Sequence, residues 1–213
     1  MLRTCSATIL AASLWCTMSA SQADTVVHYT LDPWHTQVRF TWEHVGFSTP
    51  GADFTQVRGT IDGDQEHPEK SKVHVVIPLR SLDTYVPALN EHLLDSGDFF
   101  KTKQYPDITF DSTAMTHIDE QARTFDLEGI LTVNGISKPV VLHAHANKIG
   151  PHPFYNNAPA AGFDATTTLK RSDFGVGAYV PLVSDALKVT ITVEAIESKA
   201  YAKKMAEETK KKS

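Results

Sequence analysis

The chain has 213 residues, 41% hydrophobic and 21% charged, with a formal net charge of −5. That length suits one domain with a single core and no covalent staples. An acidic balance whose basic residues cluster only from Lys203 onward gives no support to nucleic-acid binding.

The chain starts with a targeting pattern. Met1-Leu2-Arg3 is a short basic start, Ile9 to Trp15 (ILAASLW) is a brief apolar run, and Ser19 to Ala23 (SASQA) offers small residues for cleavage. A membrane span needs ~20 apolar residues, so this reads as a secretory signal peptide. Ser21 and Ala23 favour cleavage after Ala23, with Ala20 as the alternative. Trp15 before Cys16 argues against a lipoprotein, which wants a small residue there. Cys5 and Cys16 both lie in the signal, so the mature chain has no disulfide, thiol nucleophile or thiolate metal site.

From here on, alternation dominates. Val26–Leu31 is a strand candidate. Val38, Phe40, Trp42 and His44 share one face, and Gln37, Arg39, Thr41 and Glu43 the other. Gln56–Asp62 follows, with a break at Asp62-Gly63-Asp64, then Val73, Val75, Ile77 and Leu79 in step. Pro87 to Leu94 predicts a short helix with Leu89, Leu93 and Leu94 on one side, ended near Gly97. Ile108–Ala114 returns to strand. Phe125, Leu127, Gly129, Leu131 and Val133 alternate up to Asn134-Gly135, a strong hairpin signal. Val140–Ala146 runs toward a break at Gly150-Pro151. The segment 151–162 (PHPFYNNAPAAG) is so rich in Pro, Asn and Gly that it predicts a loop at a barrel mouth. Phe163–Leu169 follows, then Leu187, Val189, Ile191, Val193 and Ala195. The end, KKMAEETKKKS, predicts a solvated tail, with a weakly amphipathic helix over Lys199–Lys210 as the alternative. Eight or nine strands with polar outer faces, and one or two short helices, imply a mainly β antiparallel barrel or sandwich.

No motif singles out a reaction. The chain contains no Gly-x-Ser-x-Gly elbow and no phosphate loop. His143 and His145 share a strand face and resemble half of a zinc or copper site. Val140, Leu142 and Ala144 claim the apolar face, however, so the histidines belong to the polar one. Asp62 and Asp64 flank Gly63 as turn residues rather than as a catalytic acid pair. His44, on a face with Phe40 and Trp42, fits a packed core histidine better than a base. The aromatic-rich early strands suit a barrel that is either packed or holds one ligand.

Taken in order, several longer stretches are more specific. YTLDPWHTQVRFTWEHVGFST, FTQVRGTIDGD, LDTYVPALNEHLLDSGDFFKTKQYPDITFDST, GILTVNGISKPVVL and LKRSDFGVG resemble the blocks of the YceI-like family of periplasmic polyisoprenoid-binding proteins. The likeness covers about residues 28 to 197. It carries His92-Leu93, Asp98-Phe99-Phe100, Tyr105-Pro106, Phe110 and the Arg171-Asp173-Phe174-Gly175 segment. The spacing from His92 to Asp98 looks one residue longer than in the family, and the basic residue often found after His-Leu is absent. The resemblance implies an extended lipocalin-like, eight-stranded antiparallel barrel whose lumen holds an isoprenoid chain or similar amphiphile. It also implies a binder or carrier rather than an enzyme, with no cofactor.

Strand parity and the matched blocks together nominate the ligand contacts. These are Phe40, Trp42, His44, Phe47, Phe99, Phe100, Ile108, Phe110 and Phe174, with His92 and Arg171 as polar contacts near one end. Neighbours on the chain, Phe99 and Phe100 are expected to divide their roles, one toward the lumen and one anchoring the helix. The expected organisation is a signal peptide over 1–23, a binding barrel over 24–198 and a basic tail over 199–213, in a periplasmic protein. Two rivals stay open at this point: a lipid-modifying enzyme with His44 or His92 as base, and a partner-binding module with a closed lumen. Related barrels often pair, so a homodimer is compatible with the resemblance.

Overall fold

The computed structural model describes residues 26–212; the expected signal segment 1–23, with both cysteines, lies outside them. In chain order the described residues form β1 (Val26–Leu31), β2 (Gln37–Thr41), β3 (Gly51–Phe54), β4 (Arg58–Asp64), β5 (Lys72–Pro78), β6 (Leu82–Asp83), α1 (Pro87–Asp95), β7 (Asp107–Asp119), β8 (Thr124–Val133), β9 (Ile136–His152), β10 (Ala158–Lys170), β11 (Ala186–Glu197) and α2 (Ser198–Lys212). Neither helix is long and apolar enough to cross a membrane.

The strands β1-β4-β5-β7-β8-β9-β10-β11 follow one another around a sheet, and β1 pairs back onto β11. Every pairing in that ring is antiparallel, so eight strands close a barrel. Closure leaves no bare edge in the ring. β11 lies along β10 from Ala186 to Ile196, but its other edge is shared. β2 occupies Lys188 to Thr192 and β1 occupies Ala195 to Glu197. β3 and β6 extend the sheet beyond β2 as a short flap.

Period-2 alternation explains the packing. Tyr29, Phe40, Ile61, Ile77, Phe110 and Val189 are buried, and their chain neighbours face outward or lie partly exposed. Gly129 sits opposite Ser112 on β7, and a Cβ there would lie 2.4 Å from the Phe110 ring. Glycine makes room for that inward aromatic.

Three sequence expectations are corrected. The segment 151–162 is not an irregular loop. β9 runs on through Gly150-Pro151 to His152, and β10 begins at Ala158. Pro151 and Pro159 stand opposite each other, so both missing donors fall on a single rung. A turn over Pro153–Tyr155 joins the strands, closed by Asn156 and Asn157 at φ 53° and 59°, where Asn tolerates left-handed backbone. Asp62-Gly63-Asp64 is likewise the end of β4 rather than a turn; the turn follows it, with Asp64 Oδ1 accepting from the Glu66 and His67 amides. The C-terminal segment is helical rather than frayed. Tyr201 stacks 6.4 Å from Tyr155, and Lys204 Nζ lies 4.0 Å above the Tyr155 ring. These two residues are one helical step apart on the same face.

The Asn134-Gly135 turn does more than reverse the chain. Asn134 is buried, with φ 53°. Its Nδ2 donates to the carbonyls of Phe99 at 2.9 Å and Phe174 at 3.3 Å, and its Oδ1 accepts from the Lys101 amide at 3.0 Å. One side chain thus ties three segments together. Asn134→Ala leaves buried backbone groups unpaired and is expected to cost about 2–4 kcal/mol. Urea unfolding checks this, and Asn134→Gly, which recovers the backbone conformation but not the bonds, should recover only a minor share.

Candidate ligand-binding lumen

Inward side chains leave a continuous cavity of about 1050 Å³ along the barrel. Small-molecule sites commonly span ~300–1,000 Å³, so this one is large. Its wall is almost wholly apolar; Leu31, Val75, Phe110, Leu127, Phe163 and Val189 each come from a different barrel strand. At ~3.3 Å per residue and a ~40° tilt, the 12 residues of β11 correspond to a barrel about 30 Å tall. Such a space is a tube, suited to a chain rather than to a compact ring.

The two ends differ. At one, α1 and the segment between β10 and β11 lie over the lumen, bringing His92, Phe99, Tyr179 and Val183 to the cavity. At the other, the β4–β5 and β7–β8 connections contribute Gln65, Glu120 and Arg123.

Ten nominated residues border the cavity: Phe40, Trp42, His44, His92, Phe99, Phe100, Ile108, Phe110, Arg171 and Phe174. Phe47 does not. It is 91% exposed in the turn after β2, where His44 bridges to Ser48 and Val183. Its nomination rests on the Gly46-Phe47 pair of the matched block, which lies beyond the end of β2 at Thr41. Phe40 packs between Trp42 and Phe54, with ring centroids 5.8 and 5.7 Å away.

Phe99 and Phe100 do not divide their roles as expected. Both are buried and both border the cavity. The Phe99 ring meets His92 edge-on at 5.2 Å and Tyr179 at 6.2 Å. The Phe100 amide donates to Leu93 O at 3.1 Å, which folds the segment back beneath α1. Their chain is neither strand nor helix there, so the opposed directions of a regular element do not apply.

Arg171 has a different role from the one nominated. Only 5% exposed, it donates to four carbonyls: Ser184 from Nε, Val176 and Ala178 from Nη1, and Val183 from Nη2, at 2.6 to 3.0 Å. It clamps the loop it starts and has little capacity left for a ligand head. His143 and His145 point outward, bonded to Asp126 and Asn147. Among the described residues, the carboxylates that bond histidines face other rings, and none is paired with His44 or His92.

Alternation held the signal for wall residues that were read but not nominated, among them Tyr29, Phe125, Phe163 and Ile191. Met115 and Arg123, near a bulge and a turn, carried no such signal.

Residues 29–195 match the YceI-like domain. The chain belongs to the YceI-like family. A UPF0312 protein of Pseudomonas syringae pv. tomato is 35% identical over 184 residues, covering 85% of this chain and 92% of that protein. The crystal structure of the Campylobacter jejuni YCEI protein superposes with a TM-score of 0.64 at 31% identity, covering 73% of this chain and 90% of that one. A polyisoprenoid binding domain from Saccharophagus degradans shares the fold at a TM-score of 0.59 and 14% identity, covering 80% of this chain and 99% of that one.

In this YceI-like barrel the bonded carboxylates Asp53, Asp126 and Asp185 stand away from the lumen wall. Asp53, almost wholly buried, accepts from Arg39 Nε at 2.9 Å and Nη2 at 2.8 Å, and from the Tyr85 hydroxyl. The Arg39 guanidinium holds its carboxyl below the usual carboxylate range. Donors from His143 and then His117 do the same for Asp126, and Ser172 for Asp185. A depressed carboxylate stabilises the fold above its unfolded pKa of ~3.9, and that stability drains as pH falls through the folded value. Acid unfolding is therefore expected to set in below about pH 4. Asp53→Asn should be less stable at pH 7 and show a shallower acid limb, read from thermal midpoints between pH 2 and 7. Arg171→Lys should cost about 2–4 kcal/mol in urea unfolding, because one ammonium cannot reach four carbonyls. A head-group role alone would leave that stability unchanged.

Proposed function

We propose that this chain is exported to the periplasm with loss of residues 1–23, and that residues 24–198 carry a long apolar ligand. A polyisoprenoid, an isoprenoid quinone or a similar amphiphile fits the lumen. The observation that carries this reading is the continuous apolar tube of about 1050 Å³. Burying each ~100 Å² of guest surface contributes about 2.5 kcal/mol before the costs of association and chain ordering. Unfilled, a space of that size would cost the wall its packing contacts. The Saccharophagus degradans domain, described as polyisoprenoid binding, supports the same ligand class. His92, exposed beside Phe99, is the proposed polar contact at the α1 end. We take the chain as a binder rather than an enzyme, because neither cavity histidine has an acid to orient it.

Organic extraction and mass spectrometry of protein purified from the periplasm test this. A prenyl or long-chain lipid should copurify near one per chain. Ala165 is buried on the wall, and Ala165→Trp should obstruct the tube and lower lipid content several-fold with the circular dichroism spectrum retained. No copurifying lipid and no saturable prenyl binding would sink the proposal.

A further inference from the structure

Away from the lumen wall, where β1 ends, Asp32, His35 and Glu194 bring three donor atoms within 4.8 Å of one another. We propose that this trio binds one divalent first-row metal cation, with zinc as the reference ion. The site is independent of the lipid reading.

The geometry comes from the turn that separates β1 from β2. Asp32 is 4% exposed, and its Oδ1 accepts from the Trp34 amide at 3.0 Å. That bond turns Oδ2 toward His35 Nδ1, 2.8 Å away. Glu194 Oε1 lies 3.9 Å from the same nitrogen. Zinc bonds of ~2.0–2.1 Å in a tetrahedron place ligand atoms about 3.3 Å apart. The two separations from Nδ1 straddle that value, and each differs from it by well under an ångström. One imidazole and two carboxylates form a donor set for a borderline cation, leaving a fourth position for water. Binding at Nδ1 requires that nitrogen to give up its proton, while the ring keeps one on Nε2. The His35 side chain is 60% exposed, which gives the ion a path in.

The surroundings are built for the same end. His152 Nδ1 accepts from the Phe154 amide at 3.2 Å, so the ring proton sits on Nε2. Nε2 therefore donates to Glu194 Oε1, at 3.0 Å, and steers that carboxylate without being a ligand itself. Supporting hydrogen bonds of this kind are what hold metal-binding carboxylates in place. Thr36 Oγ1 pins the Glu194 backbone, donating to its carbonyl at 3.3 Å and accepting from its amide at 3.4 Å. Surface histidines elsewhere lack this convergence. His117 and His143 take opposite oxygens of Asp126, and Asp32, His35 and Glu194 are the one such convergent trio among the described residues.

Zinc titration of full-length protein stripped with a chelator and desalted, followed by calorimetry, tests the site. One equivalent should bind, and the thermal midpoint should rise because the ion binds only the folded turn. His35→Ala and Glu194→Gln should each weaken binding at least tenfold and abolish the thermal shift. Glu194→Gln keeps an oxygen for His152, which guards against loss of fold. His152→Ala should weaken binding roughly tenfold or more, as outer partners do. His143→Ala should bind like the parent. The proposal falls if the parent retains no zinc, if His35→Ala and Glu194→Gln bind as well as it does, or if His143→Ala is the variant that loses the ion.

Discussion

β11 meets β10 along its whole length but two different strands on its other edge, β2 first and β1 last. Backbone donors and acceptors inside a closed barrel must all find partners. At the handover the Asp32 amide donates to Glu194 O at 2.8 Å, and Thr36 supplies its hydroxyl to the same residue. The Asp-Pro-Trp-His turn therefore substitutes for missing ladder rungs. It continues the closure that β1 and β11 make over Tyr29, Thr30 and Leu31. The polar cluster of Asp32, His35 and Glu194 lies there because the chain must change direction there.

A second set of ties holds the α1 end of the tube. Asn134 links the β8–β9 turn to Phe99, Lys101 and Phe174, while Arg171 gathers carbonyls from Val176 to Ser184. Arg80 joins the helix from below with a two-pronged contact to Asp95 at 3.0 and 2.6 Å. The Phe99-Phe100 corner, the helix and the β10–β11 loop are thus fastened to the same frame. Any widening of this end has to move them together.

What was legible in the sequence follows from period. Strands long enough to alternate three or four times, such as β8 and β11, stand out, and so do their inward residues. β3 and β6, four and two residues long, are too short to show a period. The β9–β10 hairpin was missed because its prolines look disruptive until their register places them opposite each other. Phe47 comes from the Gly46-Phe47 pair of a matched block, and a block match does not say which way a side chain in a turn points. Arg171 was recognised as special, but its partners are carbonyls, and carbonyls leave no trace in side-chain chemistry. The tail helix depends on Tyr155, an aromatic supplied from more than forty residues away.

The uniformity of the tube wall has a further consequence. A surface with so few donors or acceptors distinguishes little between one hydrocarbon and another of equal girth; it registers mainly how much of it is there. Discrimination among guests is then displaced to the two rims, where His92 and Tyr179 stand at one and Arg123 and Glu120 at the other. Under the proposed function, a barrel of this kind would act as a ruler in its middle and as a reader at its ends. On that reading, changing a handful of rim side chains would change the preferred guest while leaving the bore as it is.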